Sequence, residues 1–422
     1  MSKIWKGAAA LIWAVLFVVG AWGVVLRFDM GHRLAAYTSY VPWGLWVAAY
    51  IYFIGLSAGA FLLSTLVYVF GVKRLERVGR FALFLALVTL FMALLTIWFD
   101  IGHMWRFVEV YARPQFHSMM AWMVWLYTAY FVLLIFETYF ALRRHLPEWS
   151  KLPGVRGAVA RGLTLGRQKP LSEAEVARDS RVVRWLGGIG VPLAIAFHGG
   201  VGALFGTVLA RELWHSSLYP IMFLTGALLS GGALLTGLVA FFWSERDAGW
   251  RDTVTLLGRV VLGLLAFDTV LEWAEYSIPM WYGVGSAYQQ LMNVLFGPEW
   301  WVFWLVHIAV GVAVPAVLLL AAPRNPVAVG LAGWAVAVSF LAVRLNMVIP
   351  ALVQPELQGL QWSYHDSRLV FNYMPSLFEW QVLLFVVTLG VGLLFLGSLV
   401  LPLGNRTIAM RQTALQSTSK EV

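Results

Sequence analysis

Between two strongly apolar runs, residues 100–122 read DIGHMWRFVEVYARPQFHSMMAW and gather Asp100, His103, Arg106, Glu109, Arg113 and His117. Charged and imidazole groups at a membrane surface are costly unless paired or wet, so such a gathering marks a site for protons, ions or a redox ligand. At helical spacing Asp100, His103 and Arg106 come close to sharing one face of a helix end. A carboxylate, an imidazole and a guanidinium there suit a quinone, whose oxygens need hydrogen bonds and which exchanges protons along with electrons. Imidazole titrates near neutrality, so His103 with Asp100 is the natural proton-handling pair. His117 would form the opposite wall, with Trp122 and Tyr127 offering flat surfaces. The plainer alternative is a salt-bridged helix end, Asp100 with Arg106 in a wet loop, and aromatics that only pack.

A second set lies deeper. In LLAFDTVLEWAEYSIP, Asp268, Glu272 and Glu275 recur at i, i+4 and i+7 and form one carboxylate stripe. Insertion scales charge about 2.5–3.5 kcal/mol for an ionised Asp at a helix centre, which favours a proton relay or cation site over ornament. Neutral structural carboxyls are the competing reading. Arg344, inside a later run, is a candidate counter-charge, and Glu137 would be the inner end of a path or an interfacial residue. His198 in IAFHGGVGALFG and His307 in FWLVHIAV are intramembrane histidines that could ligate a b-type haem. A helix-to-helix hydrogen bond is the expected use of each.

These groups must be held by helices crossing a membrane. The chain has 422 residues, 60% hydrophobic and 12% charged, with a mean hydropathy of +0.76, far from a soluble domain. Apolar runs at 8–26, 45–70, 81–98, 120–142, 185–209, 218–243, 255–273, 301–320, 328–348 and 380–403 predict ten spanning helices in an all-α integral membrane protein. The first lacks a convincing cleavage site and reads as a retained helix. The 22 Trp and 15 Tyr suit interfacial belts, with some left for a pocket.

The formal charge of +9 does not indicate nucleic acid, because the basic residues gather in loops beside apolar spans. With ten spans, 23 of the 30 Lys and Arg fall on the side of the N-terminus, which predicts both termini in the cytoplasm. Residues 100–117 then lie at the outer face. The absence of cysteine excludes disulfides and thiolate-held iron-sulfur clusters in this chain, so electron transfer would need a partner carrying them.

GLSAGAFLLSTLVYVF (55–70) aligns with ALLSGGALLTGLVAFF (227–242) at an offset of 172, and the same offset carries Asp100 and His103 onto Glu272 and Glu275. This predicts two four-helix bundles in parallel repeat, with the first and last helices added. The expected divisions are 1–41, a first helix and outer loop; 42–209, a first bundle including the cytoplasmic linker 143–184; 210–348, a second bundle; and 349–422, an outer loop, last helix and tail.

PWGLWVAAYIYFIGLSAGAF (42–61), FDIGHMWRF (99–107) and PQFHSMMAWMVWLY (114–127) together resemble the NrfD/polysulfide-reductase (PsrC-like) membrane-subunit family. The ten-helix length and HSMMAWMVW are most similar to its DsrP branch, from the sulfite-reductase-associated Dsr complex. The resemblance implies a quinone-reactive subunit of a respiratory oxidoreductase in a prokaryotic cytoplasmic membrane. Menaquinone or ubiquinone would exchange electrons with a periplasmic ferredoxin-like iron-sulfur subunit, beside further cytochrome and membrane subunits, in sulfur-compound metabolism. It places Asp100, His103, Arg106 and His117 in quinone-proximal motifs. The rival class is a secondary transporter using the buried carboxylates for a proton or cation.

Overall fold

The computed structural model describes residues 3–357 and 359–404. Residues 405–422, with Arg406, Arg411 and Lys420 of the basic-side count, lie outside them. The described chain is helical, without strands. Among the described residues, ten helices are long and apolar enough to cross a membrane. They are α1 (Lys3–Met30), α2 (Leu45–Tyr68), α3 (Glu76–Asp100), α4 (Met119–Arg143), α5 (Glu173–Gly206), α6 (Tyr219–Phe242), α7 (Ala248–Tyr282), α8 (Val302–Ala321), α9 (Pro326–Val353) and α10 (Leu377–Val400). The protein is a multi-pass membrane protein. We call the end where α1 begins the basic face and the other the far face.

Two helices outrun their apolar segments. The linker 143–184 is not one open loop: it holds short helices Leu146–Trp149 and Gly154–Leu163, and α5 already starts at Glu173. Local chemistry explains the early start, since Ser172 and Glu175 form a reciprocal capping box that satisfies two orphan N–H groups. Hydropathy does not register a polar first turn. Likewise α7 begins at Ala248, capped by the Asp247 side chain on Trp250 N, and runs to Gly283, whose positive φ ends it.

Helices α2 to α5 pack on one another, as do α6 to α9, and the two groups meet through α2, α5, α6 and α9. The centre of that meeting is a contact of small residues. A Cβ on Gly59 would stand 2.9 Å from the Cα of Gly231, and one on Gly231 would stand 2.7 Å from the Cα of Gly59. These glycines are related by the offset of 172, so equivalent positions of α2 and α6 touch each other. With no hydrophobic drive between helices in lipid, such close backbone approach supplies the dispersion energy that holds them.

Helices α1 and α10 pair with each other, α10 lies against α3, and Arg27 and Phe28 of α1 touch the last residues of α3. Gly20 and Gly23 of α1 face the backbone at Phe385 and the Gln381–Val382 segment of α10, where larger side chains would not fit. The α1–α10 pair thereby reaches the far end of α3.

Candidate functional site

Helix α3 stops at Asp100, and Ile101 is extended. The expected face of Asp100, His103 and Arg106 therefore does not form. The chain turns at Gly102, winds one tight turn over Met104–Val108 and a short helix over Glu109–Ala112, and re-enters at Ser118, which caps α4. His103, Arg106 and His117 are exposed on the far face, as is Arg113, whose contact with Glu109 at 3.6 Å is a solvent-screened pair. Trp122 is half exposed and donates from Nε1 to Phe116 O at 2.8 Å. Tyr127 is buried and accepts a 2.6 Å hydrogen bond from Tyr50 of α2.

Asp100 points the other way, toward α1 and α10. Tyr37, in the connection after α1, donates to its Oδ1 at 2.6 Å. Arg27, nearly fully buried, caps the end of α3 by donating to Phe99 O at 2.7 Å and Ile101 O at 2.9 Å. Glu379, at the start of α10, is completely buried. Its Oε2 accepts from Ala36 N at 2.9 Å and Ser376 N at 3.0 Å, and its Oε1 accepts from the Tyr373 hydroxyl. The Tyr373 oxygen in turn accepts from Leu45 N at 2.6 Å. The Tyr37 and Tyr373 rings stack, with centroids 6.0 Å apart.

His32 packs edge-on against Tyr37 and beside Trp46, and its Nε2 is buried without a partner. Burial, helped by the Arg27 charge, lowers its pKa and keeps it neutral. Burial also raises the Tyr37 and Tyr373 hydroxyls, reinforced by Asp100 and Glu379 respectively, so both remain protonated donors.

Sequence reasoning passed over Arg27, His32, Tyr37, Tyr373 and Glu379. The one signal available was S-x-x-E at Ser376 to Glu379, a pattern that reads as a helix cap and not as chemistry.

In the second bundle, Asp268 and Glu272 of α7 are buried together with His307 of α8 and Arg344 of α9. His307 Nε2 lies 3.1 Å from Glu272 Oε2. Residues 302–313 are wound as a π-helix, a rare form that concentrates at functional sites. The Arg344 guanidinium sits over Phe223 at 4.6 Å and Phe340 at 5.0 Å, and its Nε and Nη2 have no partner. A cavity of about 10 Å³, lined by Asp268, Glu272, His307 and Ser339 among others, has room for a single water.

The other expected path residues stand apart. Glu275 accepts from Ser216 at 2.7 Å, nearer the far face. Glu137 is fully buried without a partner for either oxygen, beside Gly187 in the first bundle. His198 is enclosed by Phe197, Phe223 and Gly55 where the bundles meet, with neither ring nitrogen bonded.

A family profile described as polysulphide reductase, NrfD, matches residues 33–356, most of the chain and all of α2 to α9. The chain belongs to the NrfD polysulfide-reductase family. One subunit of the selenate reductase of Mesobacillus selenatarsenatis is 35% identical over 401 residues, 94% of each chain. The Hdr-like menaquinol oxidoreductase integral membrane subunit of Archaeoglobus fulgidus is 28% identical over 88% of this chain and 87% of its own. The menaquinone reductase integral membrane subunit of Nitratidesulfovibrio vulgaris is 23% identical over 93% and 91%. Two of these relatives are named as integral membrane subunits, of a menaquinol oxidoreductase and of a menaquinone reductase, and the third as a selenate reductase subunit. Within this member, Arg27, His32, Tyr373 and Glu379 fall outside the residues the profile matches.

Proposed function

We propose that this NrfD-family chain is the quinone-reactive membrane subunit of a multi-subunit oxidoreductase, exchanging electrons between menaquinone or ubiquinone and an iron-sulfur partner docked on the far face. The observation that carries the reading is family membership together with relatives named for menaquinol and menaquinone. Residues suited to such a substrate lie there: the rings of Trp46 and Tyr37 pack beside the His32 imidazole, whose Nε2 has no protein partner, and Tyr37 donates to the Asp100 carboxyl. Quinol oxidation releases two electrons and two protons. The electrons go to the partner's cluster, and this chain's residues hold or accept the protons. Asp100 is the proton-handling group, with His103, Arg106 and His117 on the same far-face rim and Trp122 and Tyr127 as walls.

The basic-residue asymmetry supports both termini in the cytoplasm and a far face outside the cytoplasmic membrane. Asp268, Glu272, Glu275 and Arg344, joined by His307, supply a proton path in the second bundle, and Glu137 an inner group in the first. The relatives' names range over selenate reductase and menaquinol and menaquinone enzymes, so the partner subunits set the terminal substrate. Assignment to the DsrP branch and to sulfur metabolism, with cytochrome and further membrane subunits, rests on chain length and the HSMMAWMVW segment.

The test is purification in mild detergent followed by mass spectrometry of co-purifying proteins and extracted lipids. An iron-sulfur subunit with a bound quinone, and loss of quinol turnover in Asp100→Asn and His103→Ala, are the expected results. A chain that is active alone and lacks both would overturn the reading in favour of carboxylate-coupled transport, which the buried Asp268–Glu272–His307 cavity would then serve.

A further inference from the structure

The linker between the two bundles carries an apolar face that nothing among the described residues covers. Its helix Gly154–Leu163 turns Ala160 inward, where it is buried with Leu142, Leu146, Trp149 and, beyond α10, Leu403. On the other side Val155, Ala158, Val159, Gly162 and Leu163 recur at i, i+3, i+4, i+7 and i+8, the spacing of one helix stripe. All but the half-buried Val159 are exposed. A turn follows at once, and its Leu165 is 95% exposed. Leu165 has a φ of +51°, and among the described residues it is the one non-glycine with a positive φ. A residue with a Cβ is strained in that region. In water this leucine would be strained and bare at once.

Depth and charge indicate what covers it. The Tyr139 hydroxyl donates to Leu163 O at 3.4 Å, and Tyr139 sits one turn, about 6 Å, inside the end of α4 at Arg143. Cα–Cβ bonds tilt toward a helix's N-terminus, which for α4 is the far face, so this contact draws Leu163 toward the membrane. The linker helix therefore folds back beside the last turn of α4, where headgroups meet acyl chains. Residues 151–169 also hold five basic side chains and no acid. Arg167 pairs with Glu175 at 2.6 Å, while Lys151, Arg156, Arg161 and Lys169 meet no acid among the described residues. An apolar stripe flanked by free cations at this depth suits a helix lying in the plane of an acidic lipid surface.

We propose that helix Gly154–Leu163 and Leu165 form a binding surface for anionic phospholipid in the leaflet of the basic face. Val155 and Leu165 enter the acyl boundary, and Lys151 and Lys169 meet the lipid phosphates. Burial of Leu165 in lipid offsets the strain of its backbone. The surface is separate from the quinone site, and it ties the segment joining the two bundles to the bilayer and not to a soluble partner.

The chain has no cysteine, so single labels can be placed without removing any. The full chain carrying Leu165→Cys, Val155→Cys or Glu173→Cys is labelled with bimane and reconstituted into nanodiscs of phosphatidylcholine, alone or mixed with phosphatidylglycerol. Glu173 is the control facing water: it begins α5 six residues, about 9 Å, before Asp179, which pairs with Arg143 at the end of α4. Quenching by brominated lipid and by aqueous iodide is then compared. In discs containing phosphatidylglycerol, the labels at 165 and 155 should be quenched by lipid at least about threefold more than the label at 173, and less by iodide. Adding Lys151→Gln and Lys169→Gln together should lower lipid quenching to the level seen in phosphatidylcholine alone. The label at 155 decides the matter if one at 165 disturbs the turn. Iodide quenching at both positions equal to that at 173 would overturn the proposal. Shielding from both quenchers would overturn it too, because a protein, a second copy or a partner, would then cover the face. Equal lipid quenching with and without phosphatidylglycerol would overturn the assignment to acidic lipid.

Discussion

Replacing His307 by leucine strands the Glu272 carboxyl inside the second bundle. The two side chains are 5% and 12% exposed, and His307 Nε2 lies 3.1 Å from Glu272 Oε2. For two unit charges at an effective dielectric of about 20, that separation corresponds to a gross attraction of about 5 kcal/mol. Desolvation of both groups offsets much of it, so the net worth of the pair is smaller than the cost of breaking it. Removing one partner leaves a buried unpaired group and is expected to cost about 3 kcal/mol, the lower end for such pairs. Glu272→Leu is expected to cost about the same. The double variant leaves no stranded charge, so its loss should fall short of the summed singles by at least about 2 kcal/mol. The assay is denaturant unfolding of the purified protein in mixed micelles for the native chain, both singles and the double. Additivity within about 0.5 kcal/mol would refute the reasoning, because it would mean that His307 and Glu272 do not interact.

Two further outcomes follow from packing and charge. Gly59→Ala or Gly231→Ala puts a methyl group against the facing backbone at the α2–α6 contact, and each should lower stability by about 1–3 kcal/mol in the same unfolding assay, whereas Gly263→Ala, with open space around it, should not. His145, just beyond α4, has its pKa pushed down to about 3 by burial and by the Arg80 and Arg144 charges. Since the unfolded chain binds that proton near pH 6.5 and the folded chain does not, the folded state is at full advantage above pH 6.5 and loses it as pH falls toward 3. The loss at pH 5 is about 2 kcal/mol, so the melting temperature of His145→Gln should drop less than that of the native protein between pH 7.5 and 5.

The architecture was legible because its cause is local. A run of about 20 apolar residues must become a helix in lipid, where no other backbone can satisfy its own hydrogen bonds, and all ten runs did. The Asp268–Glu272 stripe could be read from its i, i+4 spacing, since both residues share one helix. The offset of 172 could be read as well, and Gly59 and Gly231, which it relates, touch. Where a helix stops is less local. Asp100, His103 and Arg106 have helical spacing, but α3 ends at Asp100, where Arg27 from another helix holds its last carbonyls.

The composition and order of residues thus determined the class, the number of spans, the charge asymmetry and the presence of buried acids, all of which follow from the transfer of side chains between water and hydrocarbon. Only the tertiary structure decided which acid meets which base. Glu272 finds His307 across two helices, Tyr37 finds Asp100 from a connection 63 residues away, and Glu379 reaches Ala36 across 343 residues of chain. The physical reason is that a buried charge constrains its partner strongly in space but not in sequence. Any helix that brings a donor within about 3 Å satisfies it, and which helix does so is settled by how the apolar faces pack.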